Sequence, residues 1–87
     1  MTENISYSPA DSSSAKSLTE REKQVVRLMG GGYTNKKIGK KLKISPYTVA
    51  NHIANVKDKM GINGGSRTET VVVALQNEQI SIDEIPE

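Results

Sequence analysis

The sequence predicts an all-α fold, a compact bundle of four helices, on three observations. Helix-start signals recur at Thr19, Thr34, Ser45 and Ser66. Apolar residues between them return at helical spacing, and glycines or a proline punctuate the joints. With 87 residues, 34% of them apolar and no Phe or Trp, the chain has room for one domain and a modest core.

Residues 1–17 hold six serines and few apolar side chains, which predicts a disordered arm. Order is expected from Leu18. Thr19 and Glu22 have the spacing of a capping box, in which each side chain satisfies a backbone N–H freed at a helix start. Val25, Val26, Leu28 and Met29 supply the apolar face of this first helix, and Gly30–Gly32 should stop it. A phosphate-gripping loop is the sharper reading of those glycines, but the G-K-[ST] ending and a preceding strand are missing.

Thr34 caps a short second helix on which Ile38 and Leu42 lie one turn apart. Gly39 costs that helix roughly 1 kcal/mol relative to Ala, so a close helix crossing is expected there. Ser45-Pro46 then opens a third helix, expected over 46–60, with Val49, Ile53, Val56 and Met60 in one core stripe. The opposite face holds Tyr47, Asn51, Ala54 and Asp58, with Ala50 and Asn55 beside it. Gly61 ends the helix, Ile62 should fold back onto the core, and Asn63-Gly64-Gly65 forms a turn. Ser66 with Glu69 predicts a second capping box and a fourth helix to about Asn77. Val71 to Leu75 are consecutively apolar, more than one side of a helix needs, which leaves Val73 or its neighbours for a partner. The folded domain is expected over 18–80, followed by an acidic tail over 81–87.

The formal charge of +2 conceals an asymmetry. Between Asn35 and Met60 stand seven lysines and one acid, a local excess of +6, whereas four acids and no base follow from Glu78 onward. Such a patch implies a polyanionic partner. Two helices joined by a short turn, the second opening on Ser-Pro, make a helix-turn-helix. A helix fits the major groove of duplex DNA, where each base pair displays its own donor and acceptor pattern. Asn51 is the main candidate for base readout, through bidentate pairing with adenine. Thr48 and Asn55 lie close by, and Ala50 and Ala54 suit thymine methyls or close approach. Lys36, Lys37, Lys57, Lys59 and Tyr47 are placed to meet phosphates, with the helix-start residues Thr34, Asn35 and Ser45 beside them.

Leu18-Thr19-Glu20-Arg21-Glu22, Asn35-Lys36-Lys37-Ile38, Leu42, Ile44-Ser45-Pro46, Thr48-Val49, His52, Lys59-Met60-Gly61 and Ser66-Arg67-Thr68-Glu69 together resemble the LuxR-type helix-turn-helix domain. The resemblance covers about residues 18–80 and implies a bacterial transcriptional regulator. It implies that the third helix reads DNA and that the fourth forms a homodimer surface, placed here at Thr70, Val73, Ala74 and Asn77. Family members often carry a receiver or ligand-binding domain ahead of this module; a serine-rich arm stands there here, so a stand-alone regulator is expected. Ala50 stands where a lysine is usual, Lys37 where a glutamate is typical, and Gly64-Gly65 looks like a two-residue insertion.

Other readings are a sigma-factor promoter-recognition domain, which generally lacks such a fourth helix, and an inhibitor that pairs with a larger regulator through helix 67–77. Another regulator or RNA polymerase are further partners this reading allows. No enzyme is expected: there is no cysteine, one histidine and no carboxylate pair at a plausible site. No cofactor, metal, small-molecule substrate or membrane partner is expected either. The lack of a signal pattern or a long apolar run predicts a cytoplasmic protein.

Overall fold

The computed structural model of the chain describes residues 17–86. All but the last residue of the serine-rich arm expected over 1–17 lies outside the described residues. Four α-helices follow in order: α1 (Glu20–Gly30), α2 (Asn35–Leu42), α3 (Pro46–Met60) and α4 (Arg67–Gln76), then a single 3-10 turn at Ile82–Glu84. No strand occurs among the described residues, and the all-α class is as expected.

Each helix begins where a hydroxyl accepts a freed backbone N–H. Thr19 takes that of Glu22, Thr34 that of Lys37, Ser45 that of Thr48 and Ser66 that of Glu69. At Thr19 the box is complete, since the Glu22 carboxylate accepts from the Thr19 amide at 2.9 Å. At Ser66 only the forward bond is among the described hydrogen bonds, at 3.0 Å.

Two clusters make the core. Val25 and Met29 of α1 meet Ile38 of α2 and Val49 and Ile53 of α3. Leu18 and Val26 meet Val56, Ala74 and Ile80, joining α1, α3, α4 and the segment beyond. Val71 packs against both clusters, so one α4 side chain ties the two together. Met60 is half-buried at the end of the expected α3 stripe.

The reason for Gly39 differs from the expected helix crossing. A Cβ there would lie 2.5 Å from the Ile44 carbonyl oxygen and 3.4 Å from the Pro46 nitrogen, so the close neighbour is the turn of the helix-turn-helix itself. The Gly39 carbonyl closes that turn, accepting the Ile44 N–H at 2.9 Å and the Lys43 N–H. Lys43 takes left-handed angles to allow this (φ 61°, ψ 44°), a conformation that disfavours a residue with a Cβ. Ile62 is half-buried, and its N–H caps α3 through the Lys57 carbonyl.

The chain stays packed past residue 80. Ile80 is buried, Ile85 packs against the core, and Glu84 accepts from Arg27 of α1 at 3.2 Å. At Gly31 a Cβ would lie 2.5 Å from the Pro86 carbonyl oxygen, so the last segment runs tightly over the end of α1. The Leu18 N–H also donates to Gln79 Oε1 at 3.2 Å. The expected boundary at residue 80 is therefore not an end of the packed structure.

Candidate nucleic-acid interface

The outward face of α3 is exposed at Tyr47, Ala50, Asn51, Ala54, Asn55 and Asp58. Tyr47 is 76% exposed and marks the N-terminal end of that face. Val49, Ile53 and Val56 anchor the other side of the helix in the core, which fixes how the face is presented. Thr48 is half-buried, and its hydroxyl lies 3.0 Å from the Ser45 hydroxyl, so both belong to one cap.

Lys36, Lys37, Lys40, Lys41 and Lys43 are all exposed on or just after α2. Among the described residues the ion pairs join Lys23 to Glu20, Arg27 to Glu84 and Lys59 to Glu22, and none involves these five or Lys57. Lys41 stands over the Tyr33 ring, 5.4 Å from its centroid. Asn35, Ala50, Ala54, Lys57, Gly64 and Arg67 line an open notch along one flank of α3.

Three expected site residues are placed otherwise. Lys59 turns to α1, where its Nζ lies 2.8 Å from Glu22 Oε1 and 3.3 Å from the Ser17 carbonyl. Burial alone would push the Glu22 carboxyl up. The hydrogen bond from Lys59, the Thr19 amide and the Lys59 charge outweigh it and hold the carboxyl below its ordinary 4.5. Lys59 is thus an internal counter-ion rather than a free phosphate ligand. Thr70 and Ala74, expected at a dimer surface, are fully buried, and Thr70 donates its hydroxyl proton to the Ser66 carbonyl at 2.8 Å. Five consecutive apolar residues carry no moment that tells inside from outside. Val73 is half-buried, Asn77 is exposed, and Val72, not singled out by sequence, is 42% exposed.

Sequence reasoning also passed over Arg67. Its guanidinium bridges the start of α4 to the start of α2, donating to Asn35 Oδ1 at 2.6 Å and to the Tyr33 carbonyl at 2.8 Å. Only its place in the Ser66–Glu69 run marked it. No group of three or more His, Cys, Asp or Glu able to hold a metal occurs among the described residues. His52 is half-buried on α3.

A capped helix pair with an exposed third-helix face beside lysines that form no ion pair among the described residues defines a helix-turn-helix protein of the DNA-binding kind. The model of the family described as bacterial regulatory proteins, luxR family, matches residues 16–74. The chain belongs to that family of bacterial transcriptional regulators. It is 43% identical over 65 residues to the transcriptional regulatory protein DegU of Brevibacillus brevis, covering 75% of this chain and 27% of that protein. It is 38% identical over 65 residues to the spore germination protein GerE of Bacillus subtilis (strain 168), covering 75% of this chain and 85% of that protein. The transcriptional regulatory protein LiaR of Bacillus subtilis (strain 168) is 38% identical over 66 residues, covering 76% of this chain and 30% of that relative. The match thus spans less than a third of DegU and of LiaR, but most of GerE. No solved structure matches the chain.

Proposed function

We propose that this chain regulates transcription by laying α3 in the major groove of a specific duplex, as a homodimer joined through the outer face of α4. The observation that carries the reading is the exposed α2 lysine ridge, free of ion pairs among the described residues, beside the small polar face of α3. On this reading Asn51 and Asn55 meet base edges, and Ala50 and Ala54 allow close approach to thymine methyls. Thr48 and Ser45 sit where the first turn of α3 enters the groove. Lys36, Lys37, Lys57, Tyr47 and the starts of α2 at Thr34 and Asn35 flank it against the phosphates. The dimer role falls to Val73 and Asn77, with exposed Val72 added. No helix among the described residues is long and apolar enough to cross a membrane. The proposed place of action is the cytoplasm, and no cofactor or enzymatic step is involved.

An unbiased selection of bound oligonucleotides tests the reading, because it reports binding, half-site symmetry and base preference together. A chain that enriches no sequence, even in dilute salt, would contradict it. Pairing with a full-length regulator in the absence of any DNA affinity would instead favour the inhibitor reading.

Within that assay Asn51→Ala should relax preference at one base position, corresponding to about 1–3 kcal/mol of lost discrimination. An unchanged selection profile would remove Asn51 from the readout. Lys36→Ala should weaken binding alike on all sequences and flatten the plot of log affinity against log salt by about one unit. A loss confined to some sequences would argue against a phosphate role.

A further inference from the structure

Arg67 opens α4 at the surface, with two prongs of its guanidinium engaged by acceptors of the chain itself. An arginine carries donors alone, so the Asn35 amide atom that it meets at 2.6 Å must be the oxygen. That contact settles which way the amide is turned and leaves its NH2 group directed away from Arg67. Among the described residues, nothing accepts a hydrogen bond from Asn35 Nδ2. The side chain is half-buried and lines the notch shared with Ala50, Ala54 and Lys57, on the flank of the exposed α3 face. The second prong, on the Tyr33 carbonyl at 2.8 Å, pins the guanidinium to the loop before α2, so the fork cannot swing without releasing both partners.

We propose that Arg67 is a positioning residue for DNA binding: it holds the Asn35 amide so that the NH2 group is offered to a phosphate of the duplex seated on α3. This rests on the DNA-binding reading above. An unrestrained asparagine presents its carbonyl oxygen as readily as its nitrogen, and an oxygen turned toward a phosphate is repelled. Arg67 removes that alternative. It also makes the docking of α4 part of the DNA site, since the fork that orients Asn35 belongs to α4.

Three variants of the full chain test this, each measured for duplex affinity well below its own melting midpoint. The probe is the duplex selected by the wild type. Arg67→Lys keeps the charge but cannot bridge both partners, and should bind about tenfold more weakly with an unchanged salt slope. Asn35→Ala should lose a similar factor, and the double variant should be no weaker than either single one. Asn35→Asp should pair more firmly with Arg67, leaving the melting temperature unchanged or raised, yet bind DNA more than tenfold more weakly because it offers no donor. Wild-type affinity in Arg67→Lys or Asn35→Asp, or losses that multiply in the double variant, would overturn the proposal. If the wild type binds no duplex, the DNA-binding reading itself fails; if it binds and Arg67→Lys binds equally, only the positioning role does.

Discussion

Gly39→Ala should destabilise the protein by about 1–3 kcal/mol, although alanine is the better helix former. The substitution gains about 1 kcal/mol of helix propensity. Against this, the new Cβ meets the Ile44 carbonyl oxygen at 2.5 Å, and that oxygen belongs to backbone rather than to a yielding side chain. Relief requires the turn between α2 and α3 to open, disturbing the bonds that Lys43 and Ile44 make to the Gly39 carbonyl. Because this turn sets the angle between the lysine ridge and α3, DNA affinity should fall with stability. Urea denaturation checks the first effect; a midpoint at or above that of the wild type would show that the turn yields freely.

Lys59→Met should cost about 1–3 kcal/mol at neutral pH, by leaving the Glu22 carboxylate buried without its cation. Glu22 is only 4% exposed, whereas Lys59 reaches the surface, so the effect should stay below that of a fully enclosed pair. The pH dependence identifies the cause. In the wild type the depressed folded-state pKa of Glu22 contributes stability above its ordinary 4.5, lost as the pH falls through the lower folded value. In the variant the lowering due to Lys59 is gone while burial still opposes the Thr19 hydrogen bonds, so less stability is lost when Glu22 is protonated. The gap between the two proteins should therefore narrow as the pH drops below about 4. A gap constant from neutral pH to pH 3 would assign the loss to packing instead.

The features legible in the sequence were those set by local chemistry. Four hydroxyl caps and the Ser45-Pro46 pair gave the helix starts, and the Val49–Met60 stripe gave the extent of α3 and the face it leaves outside. What stayed hidden depends on partners far along the chain. Lys59 reads as another groove-flanking lysine until α1 brings Glu22 to it from 37 residues away. Thr70 and Ala74 could not be sorted from Val72 and Val73 because apolar residues there fill every side of the helix. A glycine inside a helix, as at Gly39, signals a close neighbour, but the chain five residues on, rather than another helix, supplies it. The segment after Ile80 holds only Ile82 and Ile85, too few to define an apolar stripe, so nothing local announced that Ile85 would pack on the core. Of the candidate site, the exposed α3 face was readable from periodicity; the fork at Arg67 was not, because it joins two helix starts separated by a full helix-turn-helix.

Pairing Lys59 with Glu22 also makes the electrostatic map lopsided. The α2 shoulder keeps five exposed lysines, while the far end of α3 offers Lys57 next to the carboxylate of Asp58. Beyond about 10 Å in ordinary salt, little of any field survives, so orientation is decided during the final approach. A rod of negative charge would be caught on the α2 side first and pivot about that shoulder, with the bases inspected only as the turn is completed.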